Sequence, residues 1–245
     1  MTPTRVETIP AIGRAEAEVL ASTEYVRLVE QLRSLGDDDW GKPTDCPLWD
    51  VRAIAGHSIG MMSDFTSLRS VLRRMRAASK AAKQAGGALI HAAMTPAQLI
   101  ARAAQNGPTS SRWRARPHTL VRRIPIKQIV AGQPETWHIG YLLDTILTRD
   151  PWMHRVDIAR ATGRDLVLTP DHDGRIVAEV VAEWARRHRQ PFTLILTGPA
   201  GGTYTSSPTT TAAVGDDITL DAVEFTRIVS GRAPGSGLLT QEVPF

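Results

Sequence analysis

The sequence has little cysteine and no long apolar run. A single cysteine, Cys46, excludes an internal disulfide. The chain lacks the roughly 18 consecutive apolar residues typical of a membrane-spanning helix, and its first ten residues lack the basic and apolar segments of a secretory signal. These absences predict a protein of the reducing cytoplasm. With 245 residues, 42% of them hydrophobic, the chain can form one large domain or two small ones.

Acidic residues are missing from one long segment. Between Asp64 and Glu135 there is no aspartate or glutamate, so the net charge of +4 conceals an acidic excess elsewhere. Such a segment attracts anionic substrates, phosphate groups or lipid surfaces, or it is a solvated face with a basic loop. We favour the solvated face, because the segment lacks the interleaved aromatic residues and motif spacings of nucleic-acid binders. Its basic residues are Arg69, Arg73, Arg74, Arg76, Lys80, Lys83, Arg102, Arg112, Arg114, Arg116, Arg122, Arg123 and Lys127.

Apolar residues at spacings of three and four predict four helices in the first 165 residues. Thr95 is the expected N-cap of the third helix, with Pro96 at its first position. A long basic connection without assigned structure follows the third helix. The expected bounds are Arg14–Leu35, Trp49–Leu72, Pro96–Pro108, and a fourth helix that starts after Pro134 and ends at Gly163.

Strand patterns dominate after Thr169, where β-branched residues become frequent. We expect a helix over Asp171–Arg189, strands over Phe192–Thr197, in the threonine-rich run to about Val214 and over Asp216–Leu220, and a final helix from Asp221 to Ser230. The fold class is therefore mainly α with an α+β C-terminal part. Residues 1–165 form a four-helix bundle, and residues 166–245 form a small α+β domain.

Three side chains on two helices suggest a metal site. Asp150 and His154 are four residues apart and share one helical face, and His57 lies in a second helical pattern with mostly apolar neighbours. Two imidazoles and one carboxylate are ligands for a divalent metal. Pro151 either kinks the fourth helix or begins a new one with Asp150 as its N-cap.

Other polar residues have supporting roles or none. Asp157, on the same face, is either an acceptor for a ligand imidazole or an ion-pair partner of Arg52, and Asp64 is a weaker candidate for either role. Cys46 is expected to be a small buried residue rather than a nucleophile. We expect the remaining histidines to be surface or packing residues, and Trp49, Trp137 and Trp152 to belong to the core.

These residues give the chain a resemblance to the mycothiol-dependent maleylpyruvate isomerase family, whose N-terminal domain is a DinB-like four-helix bundle. The matching segments are Trp49–His57, Asp150–Gly163, Asp221–Phe225, Ser230–Arg232 and Leu238–Leu239. In that family a histidine on the second helix, and a glutamate and a histidine on the last, hold the metal. The resemblance implies that His57, Asp150 and His154 are the ligands here, with aspartate in place of glutamate.

The resemblance also implies a function. We expect a divalent metal, zinc first and nickel or another metal second, with mycothiol as thiol cosubstrate. The expected reaction is isomerisation of a small anionic electrophile, or thiol transfer to it, by a cytoplasmic monomer or homodimer. The same open metal site could activate water for hydrolysis. The alternative is a non-catalytic binding protein whose basic segment recruits nucleic acid or an acidic partner.

Overall fold

The computed structural model describes residues 2–72, 94–206 and 216–245. The chain forms two compact units. The helical unit comprises Gly13–Ile126 and Trp137–Leu166, and the sheet unit comprises Met1–Ile12, Lys127–Thr136 and Val167–Phe245. The protein is mainly helical with a small sheet part, as predicted. Met1–Ile12 and Lys127–Thr136 precede residue 165 but lie in the sheet unit, and no sequence pattern indicated this. The domain division at residue 165 stays a prediction.

Four long helices make up most of the helical unit. They are α1 (Arg14–Arg33), α2 (Val51–Asp64), α3 (Pro96–Arg114) and α4 (Leu147–Thr162). Helices α1 and α2 each pack against both α3 and α4. Their shared core includes Leu28, Ile54, Leu99 and Ile158, all fully buried. Short helical turns occupy Asp37–Asp39, Thr119–Arg122 and Ile139–Tyr141, and a π-helical turn occupies Leu142–Ile146.

The structure corrects three predicted helix ends. Helix α2 ends at Asp64, because Phe65 leaves the helical conformation, rather than continuing to Leu72. Helix α3 does not stop at Pro108 but runs through it to Arg114. At Gly107 a Cβ atom would lie 3.0 Å from Cβ of Tyr25, so close packing against α1 outweighs the local stop signal. The N-cap prediction is confirmed, since Thr95 accepts from the Gln98 amide.

The third correction concerns the start of the fourth helix. It does not begin after Pro134, because the basic connection folds into a hairpin of β2 (Pro125–Val130) and β3 (Gln133–His138). Ala131 and Gly132 form its two-residue turn with φ of 48° and 74°. Positive φ at both positions matches the right-handed twist of the flanking strands.

The sheet unit contains a four-stranded sheet. Its strands are β1 (Thr4–Arg5), β4 (Phe192–Thr197), β5 (Gly202–Thr205) and β6 (Asp216–Asp221), in the order β1-β5-β4-β6. Strand β4 pairs antiparallel with β5 and parallel with β6, and β1 pairs parallel with β5. The predicted bounds of β4 are confirmed.

Two helices complete the sheet unit, α5 (Arg175–His188) and α6 (Ala222–Val229). Asp221 caps α6, as predicted, by accepting from the amides of Val223 and Glu224. The ring of Trp184 on α5 lies 4.9 Å from that of Phe192 and 5.4 Å from that of Phe225, so aromatic contacts join helices and strand. The sequence also indicates a break at the glycine pair of residues 86–87. That pair, His91 and part of the threonine-rich run to Val214 lie outside the described residues. None of the helices in the described ranges combines the length and apolar character needed to span a membrane.

Asp39 joins the loop after α1 to the end of α4. Its carboxylate accepts from the Gly36 amide at 2.9 Å, from Lys42 Nζ at 2.8 Å and from two nitrogens of Arg164 at 2.6 and 2.8 Å. The Lys42 hydrogen bond, the Gly36 amide and Arg164 together hold the pKa of Asp39 well below its ordinary value. The ionised carboxylate therefore stabilises the folded chain.

Asp39→Asn should lower the free energy of unfolding at pH 7. Because the folded-state pKa of Asp39 is depressed, its contribution is fully present above the ordinary aspartate pKa of about 3.9 and is lost as the pH falls through the folded-state value. Urea unfolding at pH 7 and at lower pH values measures the difference between variant and wild type, which should shrink on acidification. Asp38→Asn, at an exposed neighbour, is the control; an equal loss in both variants would contradict this role.

Candidate metal centre

Helix α4 is buried along most of its length, and several of its polar side chains lie inside the helical unit. His154 is 4% exposed and Asp157 is fully buried. A buried charged or polar group is costly unless it has a partner. The side chains of this helix are therefore arranged by their interactions with one another and with the neighbouring helices.

The structure brings the three predicted ligands together. Oδ1 of Asp150 lies 3.3 Å from Nε2 of His57 on α2 and 3.5 Å from Nε2 of His154 one turn along α4. One donor atom from each of the three residues lies within 4.8 Å of the others. The side chain of Asp150 is one methylene shorter than that of a glutamate, but it still reaches both imidazoles.

Asp150 lies inside α4, so the alternative in which it is an N-cap is wrong. The chain is already helical from Ile139 and passes through the wide π-helical turn Leu142–Ile146 before α4 begins. Leu147, at the junction, has ψ of −2° instead of a regular helical value. The helix then continues through Pro151 to Thr162.

Asp157 orients the His154 ring. Oδ2 of Asp157 lies 2.9 Å from Nδ1 of His154 and accepts the proton of that nitrogen. In the neutral ring Nε2 is then the unprotonated nitrogen, and its lone pair faces the carboxylate of Asp150. Two acceptors at 3.5 Å repel each other unless a positive charge lies between them.

The pKa values of the site residues also indicate that a positive charge is favoured between Asp150 and His154. Burial disfavours the imidazolium of His154, but Asp150 and Asp157 outweigh it and raise the pKa of His154 to about 9. Burial likewise disfavours the carboxylate of Asp150, but His154 and His57 outweigh it and hold the pKa of Asp150 well below its ordinary value. The buried carboxylates therefore favour a cation in this position, either a proton or a metal ion.

The donor set fits a divalent metal. Ligands bound at about 2.0–2.1 Å in a tetrahedron lie roughly 3.3–3.4 Å apart, close to the two separations measured from Asp150. Imidazole nitrogen and carboxylate oxygen are both zinc ligands, and nickel also accepts imidazole. Three protein ligands leave a coordination position open for a further molecule.

Two residues near the ligands were not recognised as part of the site. The indole ring of Trp49 lies 4.8 Å from the ring of His57 and 6.0 Å from that of His154. Sγ of Cys46 donates to Oδ2 of Asp157 at 3.7 Å. Both residues precede α2 in an irregular loop, where no periodicity reveals which way a side chain points. Trp49 also packs against the core, as predicted, and Trp152 is fully buried.

The remaining candidates lie in other surroundings. Arg52 donates to the Met94 carbonyl, and its pairing with Asp157 stays a prediction. Asp64 is the last residue of α2, and its supporting role is likewise untested. Arg155, which follows His154 in the sequence, is also buried, and its guanidinium makes a bidentate ion pair with Glu24 on α1, with N–O distances of 2.8 and 2.9 Å.

The basic segment is only partly a solvated face. Arg112, Arg116, Arg123 and Lys127 are exposed, in agreement with the favoured interpretation. Two arginines do not fit this interpretation, because they are buried inside the helical unit. Arg122 pairs with Asp144, and Arg114 contacts α1 and α4. The part of the segment at residues 73–93 lies outside the described residues.

Comparisons with known proteins identify the family and the fold of this chain. Residues 21–159 match the family model described as the mycothiol maleylpyruvate isomerase N-terminal domain. A crystal structure of the mycothiol-dependent maleylpyruvate isomerase is 16% identical, covers 98% of both chains and has a TM-score of 0.52. A crystal structure of a mutant of the mycothiol-dependent maleylpyruvate isomerase is 15% identical, covers 94% of this chain and 92% of that chain, and also has a TM-score of 0.52.

At these identities the two structures show a shared fold alone. A search of curated proteins finds no match. The matched family segment contains His57, Asp150 and His154 and extends over more than half of the 245 residues. The chain therefore belongs to the mycothiol maleylpyruvate isomerase N-terminal domain family.

Proposed function

We propose that this protein is a metal-dependent enzyme that uses mycothiol and acts on a small anionic electrophile, by isomerisation or by thiol transfer. The observation that carries the proposal is the convergence of His57, Asp150 and His154 on one point, in a chain of this family. The family is named after mycothiol and maleylpyruvate, and maleylpyruvate is an anion.

His57, Asp150 and His154 would hold the metal. A divalent metal, with zinc first, lowers the pKa of a bound thiol and so supplies a thiolate at neutral pH. A thiolate is the nucleophile needed both for reversible addition to a conjugated double bond and for thiol transfer. Cys46 is not needed as the nucleophile, because the cosubstrate brings its own sulfur.

The surrounding residues prepare the site. Asp157 keeps the proton of His154 on Nδ1, which leaves Nε2 free to bind. The indole of Trp49 is an aromatic neighbour of both imidazoles. Because His154 is buried, water has little access to its ring.

His57→Ala and His154→Ala should each abolish metal binding with little loss of folding, because each removes one of three ligands. Metal content is measured by plasma mass spectrometry on protein purified without a histidine tag or a chelator, after loading with zinc. His138→Ala, at an exposed position, is the matched control and should keep about one metal per chain. Full occupancy in His154→Ala would exclude the proposed ligand set.

Asp157→Asn should weaken zinc binding about 10- to 100-fold, as expected when the partner of a ligand histidine is changed. The amide still fits the space and accepts from Nδ1, but it lacks the charge that strengthens His154 as a ligand. Competition with a chromophoric chelator gives the affinity, and circular dichroism checks the fold. An unchanged affinity would mean that Asp157 has only a structural role.

Mycothiol should bind saturably to the zinc-loaded protein. Calorimetric titration measures this, with the His154→Ala variant as the control that lacks the metal. Binding should disappear in the control because the thiol is held through the metal. Equal binding to both proteins, or none to either, would contradict the thiol-dependent part of the proposal.

A further inference from the structure

Pro151 creates a gap in the backbone hydrogen bonds of α4. In a regular helix the amide of residue 151 donates to the carbonyl of Leu147, four residues earlier, but proline has no N–H. The pyrrolidine ring also crowds that carbonyl. Asp150, whose carboxylate faces both histidines, lies within the same turn. A missing donor here therefore affects the backbone that carries the proposed ligand.

A buried arginine from another helix supplies a donor at this point. Nη1 of Arg114 on α3 donates to the Leu147 carbonyl at 2.5 Å. The same guanidinium reaches the Tyr25 hydroxyl at 3.1 Å and the Thr148 hydroxyl at 3.4 Å. Thr148 in turn donates to the Asp144 carbonyl at 2.8 Å, in the π-helical turn. One side chain thus connects α1, α3 and the start of α4.

The burial of Arg114 argues that it has a specific role. The residue is 2% exposed, and a buried charge is costly without strong compensation. Its hydrogen-bond acceptors among the described residues are hydroxyl and carbonyl oxygens, with no carboxylate. An ion pair with a carboxylate therefore does not account for its position, whereas the Leu147 carbonyl does, because the proline at position 151 has no amide N–H to donate to it.

We propose that Arg114 is a positioning residue that replaces the missing amide of Pro151 and so sets the backbone from which Asp150 reaches His57 and His154. Without this donor, the turn from Leu147 to Pro151 would reorganise to expose its carbonyl to water. Asp150 would then move relative to His154, which lies in the regular part of α4. The connection to metal binding rests on the proposed function, but the replacement of the amide does not.

The test is a double-mutant cycle between Arg114→Met and Pro151→Ala. Alanine at position 151 restores the backbone N–H, and so it can donate to Leu147 when the guanidinium is absent. Arg114→Met should raise the Kd for Zn²⁺ by about 10- to 100-fold, as expected for loss of a residue that orients a ligand. The double variant should recover most of that loss. Tyr25→Phe removes another acceptor of Arg114 while sparing Leu147, so its Kd should stay near the wild-type value.

The same cycle in the metal-free protein separates the two proposals. In urea unfolding, Pro151→Ala should stabilise the Arg114→Met chain more than it stabilises the wild type. Equal effects in both backgrounds, or loss of zinc affinity without recovery in the double variant, would overturn the role of Arg114. If the unfolding coupling is present while the wild type binds no zinc, the amide replacement stands and the proposed metal function fails.

If Arg114→Met does not fold, the double variant gives the answer. Recovery of a folded chain in Arg114→Met/Pro151→Ala, measured by circular dichroism, supports the replacement of one donor by the other. Failure of both variants to fold contradicts it, because a restored amide would then not substitute for the guanidinium.

Discussion

Burial of α4 is the constraint on which the helical unit depends. The helix packs against both α1 and α2. Because it is largely buried, water cannot solvate most of its charged side chains, and these need partners within the protein. Arg155 is paired with Glu24 on α1, and His154 with Asp157 on its own helix. The interactions that satisfy these groups also fix the rotation of α4, and this rotation directs Asp150 and His154 towards His57.

The candidate site follows from an excess of negative charge around two imidazoles. Asp157 determines which nitrogen of His154 carries the proton, and Asp150 then faces the other nitrogen. A cation at this point relieves the repulsion. The buried carboxylates therefore favour a cation at this point, and the exposed basic residues take no part in this. The function of the site depends on whether that cation is a proton or a metal ion.

Local sequence patterns predicted some elements and missed others for identifiable reasons. Thr95 and Asp221 marked helix starts correctly, because a cap acts on amides two or three residues away. Pro108 indicated a helix end that does not occur, and Pro151 indicated either a kink or a new helix start, of which the new start does not occur. In both cases tertiary contacts allow the helix to continue. Gly107 lets α3 approach Tyr25 closely, and Arg114 donates to the Leu147 carbonyl, to which Pro151 has no amide to donate.

The sequence by itself determined the residue types of the candidate site and the placement of Asp150 beside His154, because a spacing of four residues places two side chains on one helical face. It also indicated the mainly helical fold and the family. Only the tertiary structure decided that His57 meets this pair, that Trp49 and Cys46 approach it from a loop, and that two arginines of a basic segment are buried. These contacts join residues far apart in the chain, and their geometry depends on how whole helices pack, which no local pattern encodes.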